Sequence, residues 1–306
     1  MDTIKLALDW TPNINHIGFF VAKNRGYYEK QGLRVEITDP SDNDYQLTPA
    51  KKVELGQADL ALCPMESVIS YRTKSQPFDM QAIAAILQDD LSAIAVLESS
   101  PVQCPSDLDG KVYASYGARY EDAIVKQMVK NAGGAGELQL TYPAKLGIWN
   151  TLVEKASDAT WIFLNWEGVE AKFHGLKLRH FRMHDFEIPY SYSPVLVGSA
   201  SRLANKADVI ERFLIATREG YLYCDKVPVV ASAILRAALP TADQKIDVDA
   251  TLEATAEAFG TQETWGQMDP EKVEQFLAWL KEHNLEQEEL KVSDLINNDY
   301  LQTTLI

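Results

Sequence analysis

The sequence predicts an α/β protein of two lobes, joined by two chain crossings, with a ligand cleft between the lobes. Three observations carry that prediction. Short apolar or alternating stretches take turns with stretches of helical period, the pattern of a parallel sheet covered by helices. Near residues 88–91 a polar run splits two apolar, β-branched stretches, and a second α/β series starts beyond it. After Pro189 a further strand-like stretch and a set of amphipathic helices follow, expected to pack back on the first lobe. Lobe 1 is therefore read as residues 1–91 plus 196–306 and lobe 2 as residues 92–195. A lobe interrupted by another leaves a cleft floored by the hinge, and clefts of that kind close on ligands. A single doubly wound domain decorated with helices is the competing arrangement.

In chain order, residues 4–8 read as a buried strand, 9–16 as a polar loop, and 17 onward as an apolar helix that stops near Gly26. A strand at 33–37, a short helix at 49–55 and a strand at 58–62 ending in Cys63-Pro64 continue the series. Apolar stretches 82–87 and 93–97 flank the first crossing. The second series comprises a strand at 111–114, a helix at 121–131, a Gly-rich turn at 133–136, a strand at 138–142, a helix at 146–155 and a strand at 159–164. Residues 194–198 form a strand, and 208–223, 228–238, 250–259 and 270–283 are amphipathic helices.

Composition narrows the function classes. In 306 residues, 46% are hydrophobic and 24% charged, as in ordinary soluble domains, and no apolar run approaches the roughly 18 residues that span a bilayer. A formal charge of −15 excludes a nucleic-acid partner, which needs a cationic face to displace phosphate counterions. Cys63, Cys104 and Cys224 are odd in number and widely spaced, which indicates neither a zinc site nor a disulfide framework. Residues 1–10 alternate like a strand and lack the features of a secretory signal. The expected location is periplasmic or extracytoplasmic if a leader was trimmed, and cytoplasmic otherwise.

In open α/β sheets, ligands meet the loops at the carboxyl ends of strands. The first such loop, Asp9-Trp10-Thr11-Pro12-Asn13-Ile14-Asn15-His16, holds an indole, two carboxamides and an imidazole; it also suits a capped turn with Asn13 or Asn15 as N-cap. The third strand runs into Cys63-Pro64-Met65-Glu66-Ser67, with Glu66 at a helix start, where it would equally serve as a dipole partner. In the second lobe, Ser115-Tyr116-Gly117-Ala118-Arg119 opens a helix whose amides suit an anion or a polar ligand edge. Asn165-Trp166-Glu167-Gly168 sets an aromatic beside a carboxylate, which suits a flat heteroaromatic amidine: the ring stacks on the indole and the carboxylate accepts two parallel hydrogen bonds. Tyr190 and Tyr192, beside the second crossing, are placed to wall the cleft or to pack a rigid hinge.

Enzyme signatures are missing: no nucleophile elbow, phosphate loop, dinucleotide fingerprint or zinc helix is present. His180 and His184 stand at i, i+4 with Asp185 alongside, but the rings diverge if the segment is extended. No catalytic residue, metal site or cofactor is expected.

The stretch Leu8-Asp9-Trp10-Thr11-Pro12-Asn13-Ile14-Asn15-His16-Ile17-Gly18, with Val21-Ala22-Lys23 and Gly26-Tyr27-Tyr28-Glu29-Lys30-Gln31-Gly32-Leu33, resembles the opening of the thiamine-pyrimidine precursor proteins. That superfamily includes formyl-aminopyrimidine receptors of thiamine-salvage ABC transporters and the fungal-type hydroxymethylpyrimidine phosphate synthases. The likeness continues at Leu55-Gly56-Gln57-Ala58-Asp59-Leu60, Asn165 to Gly168, Asp185 to Pro194 and Trp265-Gly266-Gln267-Met268-Asp269, nearly the whole chain. The resemblance implies a type II periplasmic-binding-protein fold holding an aminopyrimidine, with Trp10, Asn13 and Asn15 contacting it from one lobe and Glu167 from the other. It also implies an ABC transporter permease as partner. The synthase branch spends an active-site histidine, holds pyridoxal phosphate on a lysine and carries a cysteine-rich run. Here neither lysine nor histidine stands in Cys63 to Ser67, and Ser191-Tyr192-Ser193-Pro194-Val195 has no cysteine, which favours the receptor branch. A cytoplasmic pyrimidine enzyme and a receptor for another solute, such as a sulfonate, are the alternatives.

Overall fold

The computed structural model describes residues 1–143 and 146–302. The chain folds as two compact units. Unit 1 is Met1–Asp89, Tyr192–Pro270 and the chain from Glu288 onward; unit 2 is Asp90–Ser191 and Glu271–Gln287.

Among the described residues ten strands form in chain order: β1 Asp2–Ala7, β2 Leu33–Thr38, β3 Leu60–Cys63, β4 Met80–Ala85, β5 Ser92–Leu97, β6 Val112–Ala114, β7 Gln139–Thr141, β8 Ala159–Phe163, β9 Leu178–Phe181 and β10 Val195–Ser199. Unit 1 carries a sheet of order β2-β1-β3-β10-β4. β1 is parallel to β2, with Ile4 opposite Val35, and to β3, with Leu6 opposite Leu60. β10 is antiparallel to both β3 and β4. The residues of β3, β4 and β10 are all buried, as expected of strands covered on both faces, which is why they read as continuous apolar runs. These directions bring the carboxyl ends of β1, β3 and β4 and the amino end of β10 to one edge.

Helices Ile17–Asn24 and Ala207–Lys226 cross on this sheet at two glycines. A Cβ on Gly18 would lie 2.1 Å from Tyr221 Cδ2, and one on Gly220 would lie 2.1 Å from the Gly18 carbonyl oxygen. Only glycine permits so close an approach. The contact seats the Tyr221 ring against Phe19 and Phe259 at centroid distances of 5.6 and 5.0 Å.

Unit 2 repeats the plan with order β7-β6-β8-β5-β9. β6 is parallel to β7 and β8, and β5 is antiparallel to β8 and β9. The carboxyl ends of β6 and β8 and the amino end of β5 again share an edge. β9 was not expected as a strand. It places His180 opposite Ala95 in the sheet, so His180 and His184 do not share a helix face.

Residues 271–287 correct the expectation that all of 196–306 packs with the first lobe. Helix Pro270–Glu282 buries Val273, Phe276, Leu277, Trp279 and Leu280. Phe276 meets Tyr190 edge-on at 5.5 Å, and Tyr190 meets Trp161 at 5.2 Å, all within unit 2. Beyond the helix, the buried Glu286 carboxylate accepts from Tyr120 Oη at 2.6 Å and pairs with Arg119 at 3.1 Å. Burying each large apolar side chain is worth ~1.5–3 kcal/mol, against ~0–1 kcal/mol for a part-exposed ion pair, so the apolar face decides where the helix belongs. The chain thus passes between units at 89/90, 191/192, 270/271 and 287/288 rather than at two crossings only.

Candidate functional site

In unit 1 the loop after β1 is fixed by its own hydrogen bonds. Asn13 is the N-cap of a short turn at Ile14–His16: its Oδ1 accepts from Asn15 N at 2.9 Å, and its Nδ2 donates to the Thr11 carbonyl at 3.2 Å. His16 is fully buried; its Nδ1 accepts from Asn13 N at 3.2 Å, and its Nε2 lies 2.7 Å from Asp9 Oδ1. The ring proton therefore sits on Nε2 and is donated to Asp9. Tyr221 Oη donates to the Asn15 carbonyl at 2.6 Å, pinning the loop to the long helix. With Asn13 and His16 committed to shaping the loop, Trp10 and Asp9 are its part-exposed side chains. The Trp10 ring is half-buried and tilts against Tyr45 at 5.8 Å, and the Asp9 side chain is 23% exposed.

The rest of the unit 1 edge comes from β3, β4 and β10. Met65 N, at the start of helix Met65–Thr73, donates to the Tyr192 carbonyl at 2.9 Å, and Glu66 is buried in the first turn of that helix. Tyr192 is buried and its Oη accepts from Asp269 N at 2.8 Å; burial raises its hydroxyl above the ordinary tyrosine range. Burial also pushes the Cys63 thiol up, with the Asp9 and Glu66 carboxylates adding to the effect, which keeps this sulfur protonated. The segment Trp265–Asp269 joins at the end of β4, where Ala85 N donates to the Gly266 carbonyl at 2.9 Å.

The unit 2 edge is built around Glu121. Its Oε1 accepts from Tyr113 Oη at 2.7 Å and Tyr116 N at 3.0 Å, and its Oε2 from Ala118 N at 3.3 Å. Ser115 Oγ accepts from Gly117 N at 2.9 Å. The amides of Tyr116, Gly117 and Ala118 are therefore taken up inside the loop. Burial raises the Glu121 carboxyl despite these donors. Gly117 adopts φ +72°, and the loop leaves Tyr116 47% exposed. After β8, Trp166 is buried and Glu167 opens helix Glu167–Phe173, half-buried, with Oε2 accepting from Phe163 N at 2.9 Å. That bond fixes the carboxylate at the strand end.

Unit 1 thus gathers Trp10, Asn13, Asn15, His16, Glu66 and Tyr192 at one edge, and unit 2 gathers Tyr116, Trp166 and Glu167 at its own. Tyr190 packs between Trp161 and Phe276. The sequence reading passed over Asp9, Glu121 and the placement of Trp265; the Asp9–His16 pairing was in principle visible as an acid at a strand end facing a histidine one capped turn on. Among the described residues no group of three or more His, Cys, Asp or Glu is placed to hold a metal ion, and no helix is long and apolar enough to cross a membrane.

Two five-stranded mixed sheets, each reversing one inner strand and each gathering polar loops at one edge, define a two-unit α/β class of protein. A Candida albicans protein described as exhibiting the generic periplasmic binding protein fold superposes with a TM-score of 0.70 at 15% identity, covering 97% of each chain. The fold is that of the periplasmic binding proteins. The chain belongs to the NMT1/THI5-like family, whose model matches residues 13–231. Among its relatives, the formylaminopyrimidine-binding protein of Halalkalibacterium halodurans is 25% identical over 292 residues, 93% of this chain and 86% of that one. The 4-amino-5-hydroxymethyl-2-methylpyrimidine phosphate synthase of Legionella pneumophila is 21% identical over 250 residues, 78% of this chain and 74% of that one.

Proposed function

We propose that this protein is a non-catalytic receptor for a small aminopyrimidine related to the pyrimidine half of thiamine, working outside the cytoplasm as the binding component of an ABC-type uptake system for thiamine salvage. The observation that carries the reading is the loop after β1. Its capping and His16–Asp9 bonds commit Asn13 and His16 to rigidity and leave the Trp10 indole, with the part-exposed Asp9 carboxylate beside it, at a strand-end edge. A rigid aromatic beside an acceptor suits a planar nitrogen heterocycle: stacking adds ~0.5–1.5 kcal/mol beyond area burial, and charge-assisted hydrogen bonds select the amino group. Trp10, Asn15, Glu66 and Tyr192 of unit 1 and Tyr116, Trp166, Glu167 and Tyr190 of unit 2 are the proposed ligand-binding residues, with Asn13 and His16 holding the first loop in shape. The similarity to the formylaminopyrimidine-binding protein over most of both chains supports the same ligand class.

The test is mass spectrometry of small molecules released from the purified protein, together with calorimetry against formylaminopyrimidine, 4-amino-5-hydroxymethyl-2-methylpyrimidine and an alkanesulfonate. Micromolar or tighter binding of a pyrimidine is expected; sulfonate binding alone would overturn the reading.

The similarity to the Legionella pneumophila synthase favours a second reading, a pyrimidine-forming enzyme. A Schiff-base absorbance band on adding pyridoxal phosphate would establish it, and no band is expected, because Cys63 to Ser67 offers no lysine.

A further inference from the structure

Trp265 is 2% exposed, and its Nε1–H has no hydrogen-bond partner among the described residues. An indole nitrogen can only donate, and a buried donor without an acceptor forfeits the hydrogen bond it had in water. Such groups are rare enough in folded proteins that each calls for a cause.

The surrounding chain cannot swing to relieve it. Trp265 N donates to the Thr261 carbonyl at 2.9 Å, and the Gly266 carbonyl accepts from Ala85 N at 2.9 Å. Gly266 sits at φ +80°, where a Cβ would lie 3.1 Å from Leu301 and 3.3 Å from Ala84. Two residues on, Met268 N donates to Asn298 Oδ1 at 3.1 Å, and Asp269 N donates to Tyr192 Oη at 2.8 Å. The indole is thus held at the end of β4, on the edge that also carries Asp9, Trp10 and Glu66. Its ring lies 5.5 Å from that of Tyr221, whose hydroxyl is committed to the Asn15 carbonyl.

We propose that Trp265 is a ligand-binding residue of unit 1, its indole N–H donating to a ring nitrogen or an oxygen of a small heteroaromatic ligand. The proposal rests on the receptor reading above and deepens it. A site built around a buried donor rejects an analogue that puts C–H where the acceptor belongs.

The test is Trp265→Phe in the full chain, with 4-amino-5-hydroxymethyl-2-methylpyrimidine as the calorimetric probe. The phenyl ring keeps an aromatic face toward Tyr221, removes the donor and leaves a small cavity where the rest of the indole stood. A fivefold to tenfold loss of affinity is expected, alongside a ligand-free melting temperature lowered by the cavity; unchanged affinity overturns the proposal. Should the variant fail to fold, the indole ¹⁵N–¹H resonance of Trp265 in the parent, assigned through its backbone, decides instead. It should move downfield on adding the probe, and a resonance unmoved by bound probe overturns the proposal. If the parent does not bind the probe, the receptor reading for that pyrimidine fails. Trp265 is then judged by recording the same resonance before and after unfolding, dialysis and refolding remove any co-purified small molecule. A shift on stripping supports a donor to some other ligand, and an unmoved resonance overturns it.

Discussion

His16 Nε2 lies 2.7 Å from Asp9 Oδ1, joining a fully buried imidazole to a carboxylate at the carboxyl end of β1. Because the other ring nitrogen accepts from Asn13 N, the pair fixes the start and the end of the loop at once. Asp9→Ala would strand the Nε2–H away from any acceptor, and a buried donor so stranded costs ~1–3 kcal/mol. Urea denaturation should show a loss of that size for Asp9→Ala and a much smaller one for Asp9→Asn, whose amide oxygen still accepts. Equal losses would mean that the hydrogen bond does not hold the loop.

At the helix crossing, Gly220→Ala puts a methyl group 2.1 Å from the Gly18 carbonyl oxygen, a backbone atom that cannot turn aside. Overpacking of this kind costs ~1–3 kcal/mol and more where backbone must shift. A melting temperature lowered by several degrees is expected, with weaker ligand binding because Tyr221, the next residue, pins Asn15. A variant as stable as the parent would show that the helices have room to separate.

Glu167→Gln keeps an oxygen to accept from Phe163 N but removes the negative charge. Calorimetry should show binding of the aminopyrimidine weakened at least about tenfold, in line with the loss of ~1.5–3 kcal/mol from a hydrogen bond to a charged group. Affinity equal to the parent would remove Glu167 from the site.

Asp90, the first residue of unit 2, should make stability depend on pH. Burial pushes its carboxyl up to about 6 from an ordinary 3.8, even though Ser92 N and Oγ donate to it and Arg182 and His184 oppose the shift. An acid whose folded pKa is raised binds more protons folded than unfolded, so stability falls as pH rises from about 4 to about 6, and the cost is full above that window. Asp90→Asn should therefore be more stable than the parent at pH 7.5, with the advantage vanishing near pH 4. Urea midpoints across this range test it; a pH-independent difference would contradict it.

Much of the fold could be read from the chain because the covered strands are uninterrupted apolar runs and the helices carry a clean period. Helix 121–131 was expected at Glu121–Asn131 and helix 228–238 at Pro228–Ala238, as found. β9 escaped because Leu-Arg-His-Phe is short and half polar, and its strand character comes from pairing with β5. Helix Pro270–Glu282 was visible as a helix but not as part of unit 2, since periodicity tells that a face is buried and not what buries it. At the site, the strand-end loops were legible from position alone. The capping role of Asn13 was one of two readings its loop offered, but the labour of His16 and Glu121 was not legible, because a residue that shapes a loop and one that touches a ligand share the same chemistry.

The late return of residues 271–287 to unit 2 bears on how the gene can be divided. A fragment encoding 90–191 spans every strand of that unit yet omits Phe276 and Glu286, the partners of Tyr190 and Tyr120. Expressed alone it would present aromatic surface to water and aggregate. Engineers wishing to graft or swap this half would have to transplant two separate stretches of sequence, or fuse residues 271–287 in cis through a designed tether.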